Sequence, residues 1–145
     1  MFFGQHKHSL DAKGRLTIPT VLREELQDGM VLTYGTHGHL VIFPRAYFDK
    51  LAAQVADAPL FDDDAATQRR ILFGGAHIAD LDSAGRILVP GHLREWAHLD
   101  GPTMLVGAGP MIEVWNASAW APIKAELPSK MHEIEERSRS GSALV

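Results

Sequence analysis

Cysteine is absent from this chain, which excludes a disulfide framework and a thiolate metal site and is compatible with a reducing compartment. Long apolar stretches are missing too. No run of about 18 apolar residues occurs, and Met1-Phe2-Phe3-Gly4-Gln5-His6-Lys7 lacks the apolar core of a signal peptide, so a cytoplasmic location is expected. Catalytic signatures are equally scarce: there is no thiol nucleophile, no G-x-S-x-G elbow, no H-E-x-x-H and no G-x-x-x-x-G-K-[ST]. Neither an enzyme, a small-molecule substrate nor a cofactor is expected.

A surplus of positive charge is also lacking. The net charge of −4 argues against a surface coated in positive potential, the easiest nucleic-acid signal to read. Charge is nevertheless uneven. Residues 1–23 carry Lys7, Lys13, Arg15 and Arg23 against Asp11 alone, with His6 and His8 beside them, whereas acids gather at Asp62-Asp63-Asp64 and at Glu133, Glu135 and Glu136. A local basic face remains open.

What the chain does have is a duplication, the first thing to seek in a sequence. Asp11-Ala12-Lys13-Gly14-Arg15-Leu16-Thr17-Ile18-Pro19 returns 71 residues later as Asp82-Ser83-Ala84-Gly85-Arg86-Ile87-Leu88-Val89-Pro90. The match extends forward through Leu22-Arg23-Glu24 and Leu93-Arg94-Glu95, and backward through Gly4, His6 and Leu10 against Gly75, His77 and Leu81. With 145 residues in all, the chain reads as two small units that share one core.

Each copy sets out one piece of turn chemistry. An Asp able to cap a turn precedes a Gly free to take positive φ, and an Arg leaves the turn as an apolar strand begins. That Arg stands at the mouth of a tight loop. It can offer a guanidinium fork to a phosphate or to the acceptor edge of a guanine. It can also pair with the Asp across the turn as a structural staple. Two copies at matched positions favour function. Lys13, beside Arg15, suits a phosphate contact. The second loop has Ser83 and Ala84 instead of a Lys, so it should bind more weakly or mainly through Arg86.

In chain order, Gln5–Leu10 and Arg15–Ile18 read as strands about the first turn, and Pro19 and Thr20 introduce a short helix to about Leu26. Met30–Tyr34 and Leu40–Phe43 form a hairpin. A longer helix begins at Pro44 and stops before Pro59, with Phe48, Leu51, Ala52 and Val55 on one face. Asp57–Asp64 is a linker and Ala65–Leu72 another helix. The pattern then repeats: strands Ala76–Leu81 and Arg86–Val89, a helix Gly91–Ala97, and a hairpin of Thr103–Val106 with Met111–Trp115. Asn116 caps a helix bearing Trp120, Ile123 and Leu127, which Pro128 should end or kink. Lys130–Arg137 could add a charged helical turn or two, and Ser138–Ser142 has the composition of a disordered tail.

The eight histidines raise a metal hypothesis, since His6 with His8, and His37 with His39, could each meet as a pair. No third ligand stands at a diagnostic spacing, so no metal is expected and the rings are read as solvated or partner-facing. Trp96, Trp115 and Trp120 read as core or subunit contacts, and Lys7 and Arg23 as ordinary solvated charges.

Two D-x-x-G-R turns, each followed by an apolar strand, Pro and a Leu-Arg-Glu helix, resemble the MraZ family of bacterial transcriptional regulators, as does the Met-Phe-x-Gly opening. The resemblance implies an α+β, mostly β fold. In it, tandem AbrB-like (SpoVT-AbrB) swapped-hairpin halves form one pseudo-dimeric β-barrel with peripheral helices, and the subunits assemble into a ring. The expected organisation is a first domain at 3–50, a helical connector at 51–73, a second domain at 74–120, and a C-terminal helix and tail at 121–145. The implied function is repression of the division and cell-wall gene cluster, its own gene included, by binding direct repeats in double-stranded promoter DNA at the nucleoid. Arg15, Arg86 and Lys13 then face DNA, while Asp11, Gly14, Asp82 and Gly85 shape the loops. The alternative is an AbrB-fold interaction or antitoxin-like module that binds a protein through Ser129–Val145.

Overall fold

A computed structural model describes residues 1–140. In each copy one short strand enters the Asp turn and another leaves it: Gln5–Ser9 (β1) and Arg15–Thr17 (β2), then His77–Ala79 (β5) and Arg86–Leu88 (β6). A hairpin follows in each, Met30–Tyr34 (β3) with Leu40–Pro44 (β4), and Pro102–Gly107 (β7) with Ile112–Asn116 (β8). These runs are rich in Val, Ile, Leu and Thr, which fit a pleated, half-buried surface.

Pairing runs largely between the copies. A six-stranded antiparallel sheet has the order β1-β7-β8-β4-β3-β5, and β2 pairs with β6 in a separate ribbon. Among the described strands the hairpins β3–β4 and β7–β8 pair within a copy, while β1 joins β7, β5 joins β3, and β4 joins β8. In the ribbon Leu16 stands opposite Ile87, the same position of the two copies, so a local pseudo-twofold axis passes between them. The buried cluster is correspondingly joint: Leu16, Ile18, Leu22, Leu32 and Ile42 pack with Ile87, Val89, Leu93, Leu105 and Ile112. Each copy alone would leave half of that surface in water, which is why the two fold as one unit.

Helices cover the sheet and continue from it. Arg45–Ala56 (α1) and Asp63–Gly74 (α2) connect the copies, and Phe48, Leu51, Ala52 and Leu72 pack on Val31, Val41 and Phe43. The connector is tighter than the sequence suggests, because Asp62 itself caps α2 by accepting from the Ala65 N–H at 2.8 Å. The matched Leu-Arg-Glu segments differ in backbone. Gly91–Trp96 (α3) is an α-helix, whereas Thr20–Leu22 and Glu24–Leu26 are two successive 3-10 turns, and no side-chain cap comes from Thr20.

Ala117–Arg139 (α4) departs most from expectation. It is capped as foreseen, with Asn116 Oδ1 accepting from the N–H groups of Ser118 and Ala119, but it runs through Pro122 and Pro128 without ending. Proline removes one intrahelical donor and disturbs the carbonyl four residues back. Here that stretch of helix is exposed, so the freed carbonyl faces solvent. The charged segment Lys130–Arg137 and the first residues of the expected tail, Ser138 and Arg139, belong to this one helix. The remainder of that tail, from Gly141, lies outside the described residues. No helix among the described residues is long and apolar enough to cross a membrane.

Candidate nucleic-acid interface

Two turns of nearly identical geometry flank the β2–β6 ribbon. In the first, Asp11 Oδ1 accepts from the backbone N–H groups of Lys13 (2.9 Å) and Arg15 (2.8 Å), and Oδ2 accepts from Arg15 Nε at 2.9 Å. In the second, Asp82 Oδ1 accepts from Ala84 (2.9 Å) and Arg86 (2.8 Å), and Oδ2 from Arg86 Nε at 3.0 Å. This is an Asx turn closed by an ion pair. Gly14 and Gly85 turn the chain at φ +79° and +77°, a region that L side chains rarely occupy.

The staple and the fork therefore coexist. Only Nε of each arginine is engaged, and the terminal amino groups of Arg15 and Arg86 make no hydrogen bond among the described residues. Each side chain is about one-third exposed (32% and 33%), enough to present those groups while the stem is held. The Asp carboxylates are held below their ordinary range, first by the backbone N–H of Arg15 or Arg86 and then by the guanidinium. Lys13 is exposed beside Arg15, and the equivalent Ala84 brings no charge.

The copies build each other's turns. Ile18 N–H donates to the Gly85 carbonyl and Val89 N–H to the Gly14 carbonyl, both at 2.9 Å. Arg23, from the first copy, packs against Gly85, and Arg94, from the second, packs against Gly14. Arg23 is thus half-buried, with Nε donating to the Ile18 carbonyl at 2.7 Å, and is not the solvated charge expected from sequence. Sequence reading also passed over Arg94. The signal was present, because both arginines stand in the duplicated Leu-Arg-Glu. Lys7 is exposed, as expected. His6 and His8 share the half-buried face of β1, and burial, then His6 and Arg23, push the His8 pKa down.

In the other histidine pair His37 is exposed, whereas His39 is structural. His39 is buried, stacks on Trp115 with ring centroids 4.1 Å apart, and holds Glu113 Oε2 at 3.2 Å, so it is neither solvated nor partner-facing within the described residues. Its bond to Glu113, with that from Trp115 Nε1, holds the Glu113 carboxyl below its usual range. Among the described residues no group of three or more metal-ligating side chains comes together. Trp115 and Trp120 are buried as expected, whereas Trp96 is half exposed and donates to the His39 carbonyl.

A duplicated chain with paired, cross-braced Asp–Arg turns and an antiparallel sheet shared by both copies defines a tandem-repeat α+β protein with two matched cationic loops; the α-helices hold more residues than the strands, so the fold is mixed and not mostly β. Comparison with known families gives the class its name. The family described as "MraZ protein, putative antitoxin-like" matches twice, over residues 1–71 and 72–140. The chain is 39% identical over 136 residues to a protein of Salinispora tropica named transcriptional regulator MraZ, covering 94% of this chain and 96% of that one. Proteins of the same name from Heliobacterium modesticaldum (36% over 137 residues, 94% and 96%) and Leuconostoc mesenteroides subsp. mesenteroides (38% over 136 residues, 94% and 95%) are similar over the same extent. The chain belongs to the MraZ family of transcriptional regulators.

Proposed function

We propose that this chain is a sequence-specific DNA-binding transcriptional regulator. Its relatives carry the name transcriptional regulator. The observation that supports the reading most is the pair of turns in which the Asp fixes the Arg stem through Nε and leaves the terminal amino groups without partners among the described residues. A stem held this way presents a preorganised fork, suited to a guanine edge in the major groove or to a phosphate. Lys13 supplies a phosphate contact at the first turn.

The finer parts of this reading are the domain limits 3–50 and 74–120 and the swapped-hairpin barrel of two AbrB-like halves. Reciprocal pairing of β1 with β7 and β5 with β3 supports them. A ring of subunits would present several pairs of turns to successive direct repeats, so that multivalency supplies the affinity an acidic subunit lacks. The target is the promoter of the division and cell-wall gene cluster, including the chain's own gene, and the outcome is repression. Such a protein works in the cytoplasm, on the nucleoid. Mobility shifts against DNA upstream of its own gene, beside unrelated DNA at moderate salt, test this; no preference for the upstream fragment contradicts it.

A second reading rests on α4. Leu127, Met131 and Ile134 are 44%, 57% and 43% exposed on the far half of this helix, a surface suited to a protein partner in an antitoxin-like role. A partner captured by the full chain and lost on deletion of 129–145, with no specific DNA shift, would favour it.

A further inference from the structure

The two Leu-Arg-Glu arginines are equivalent in sequence and unequal in structure. In the first copy the 3-10 turns orient Arg23 so that Nε meets the Ile18 carbonyl at 2.7 Å. In the second, α3 is a regular helix and the Arg94 N–H bonds to the Pro90 carbonyl, one residue further back than the Arg23 N–H, which reaches only Thr20. That changes where the side chain leaves the backbone. Arg94 Nε ends buried without an acceptor, and the rest of its guanidinium makes no hydrogen bond or ion pair among the described residues. A buried donor on a cationic group is costly to leave unpaired.

Arg94 also lies against the first turn. A β-carbon on Gly14 would stand 2.7 Å from Arg94 Nη1 and 3.0 Å from its Cζ, so the guanidinium covers the very turn that carries Lys13 and Arg15. The first turn therefore gathers three cationic side chains, two from its own copy and one from the other. The second turn has Arg86 and an Arg23 already committed through Nε, and no lysine.

We infer that Arg94 is a phosphate-contact residue that completes the first turn, making Lys13, Arg15 and Arg94 a composite site for the DNA backbone and the stronger half of the interface. This rests on the DNA-binding reading above. The unpartnered guanidinium gains acceptors at every donor it turns to an arriving phosphate, whereas Arg23 keeps Nε on the Ile18 carbonyl and has only its terminal amino groups to offer. Backbone contact of this kind adds affinity without sequence preference.

The test is fluorescence anisotropy of the full chain on the upstream duplex and on an unrelated duplex of equal length, over a range of salt. Arg94→Ala should weaken both by a similar factor, about tenfold, and reduce the salt slope by about one per engaged subunit. Arg94→Lys should restore the slope. Arg23→Ala should mainly lower the melting temperature and change the slope less. If Arg94→Ala unfolds, Arg94→Gln, which keeps the reach and removes the charge, is read in its place. A parental slope for Arg94→Ala, or equal slope losses for Arg23 and Arg94, overturns this inference while loss of binding in Arg15→Ala leaves the proposed function standing. Parental binding in both Arg15→Ala and Arg94→Ala overturns both.

Discussion

Arg23 lies against Gly85 of the other copy so closely that a β-carbon on that glycine would stand 2.1 Å from Arg23 Cζ. The glycine is needed twice, for its φ of +77° and for the space above it. Gly85→Ala should lose about 1–2 kcal/mol from the left-handed backbone and more as Arg23 leaves the Ile18 carbonyl. For a chain of this size that is a drop of several degrees in melting temperature, at about 2–4 °C per kcal/mol. An unchanged melting temperature would show that the turn tolerates a side chain.

The Asp of each turn organises two N–H groups and one guanidinium. Asp11→Asn keeps the oxygen that accepts from Lys13 and Arg15 and removes the carboxylate charge opposite Arg15 Nε; Asp11→Ala removes both. DNA affinity should fall in the order parent, Asn, Ala, and circular dichroism should report a retained fold in each. Equal losses for Asn and Ala would assign the effect to the ion pair alone.

Acid should destabilise the fold in two windows. Burial depresses the His8 pKa below 6.5, so the unfolded chain binds that proton more readily and stability declines as pH falls through 6.5. Asp11, Asp82 and Glu113 have depressed carboxyl pKa values, so their stabilisation is present above 3.8 for the aspartates and 4.5 for the glutamate, and is lost below. Urea midpoints measured against pH should show both declines. His8→Gln should remove the first; Asp11→Asn with Asp82→Asn should shrink the second.

Residues 124–139 of α4 bury almost nothing. Deleting 129–145 should leave the melting temperature within a few degrees of the parent and DNA binding intact. A large loss of either would mean that the distal helix supports the fold or the assembly.

Much of this architecture is legible from sequence because the duplication states it twice. The Asp–Gly–Arg turn is local chemistry, so Asp11, Gly14 and Arg15 declare their geometry within five residues, and Asp82, Gly85 and Arg86 repeat it. Cross-copy relations are different in kind. That Arg23 packs on Gly85 and Arg94 on Gly14 depends on β2 meeting β6 in register, which no local pattern encodes. His39 was unreadable for the same reason: its partners Glu113 and Trp115 lie more than 70 residues away. Pro128 does not end the helix because helix-breaking rules describe average cost, and an exposed helix can meet that cost with solvent.

The most direct measurement is a mobility shift of the full chain with Arg15→Ala and Arg86→Ala combined, against DNA upstream of its own gene and against unrelated DNA. The account predicts a specific shift for the parent and none for the double variant, with the fold intact by circular dichroism. A double variant that shifts the upstream fragment as the parent does would contradict the role of both turns.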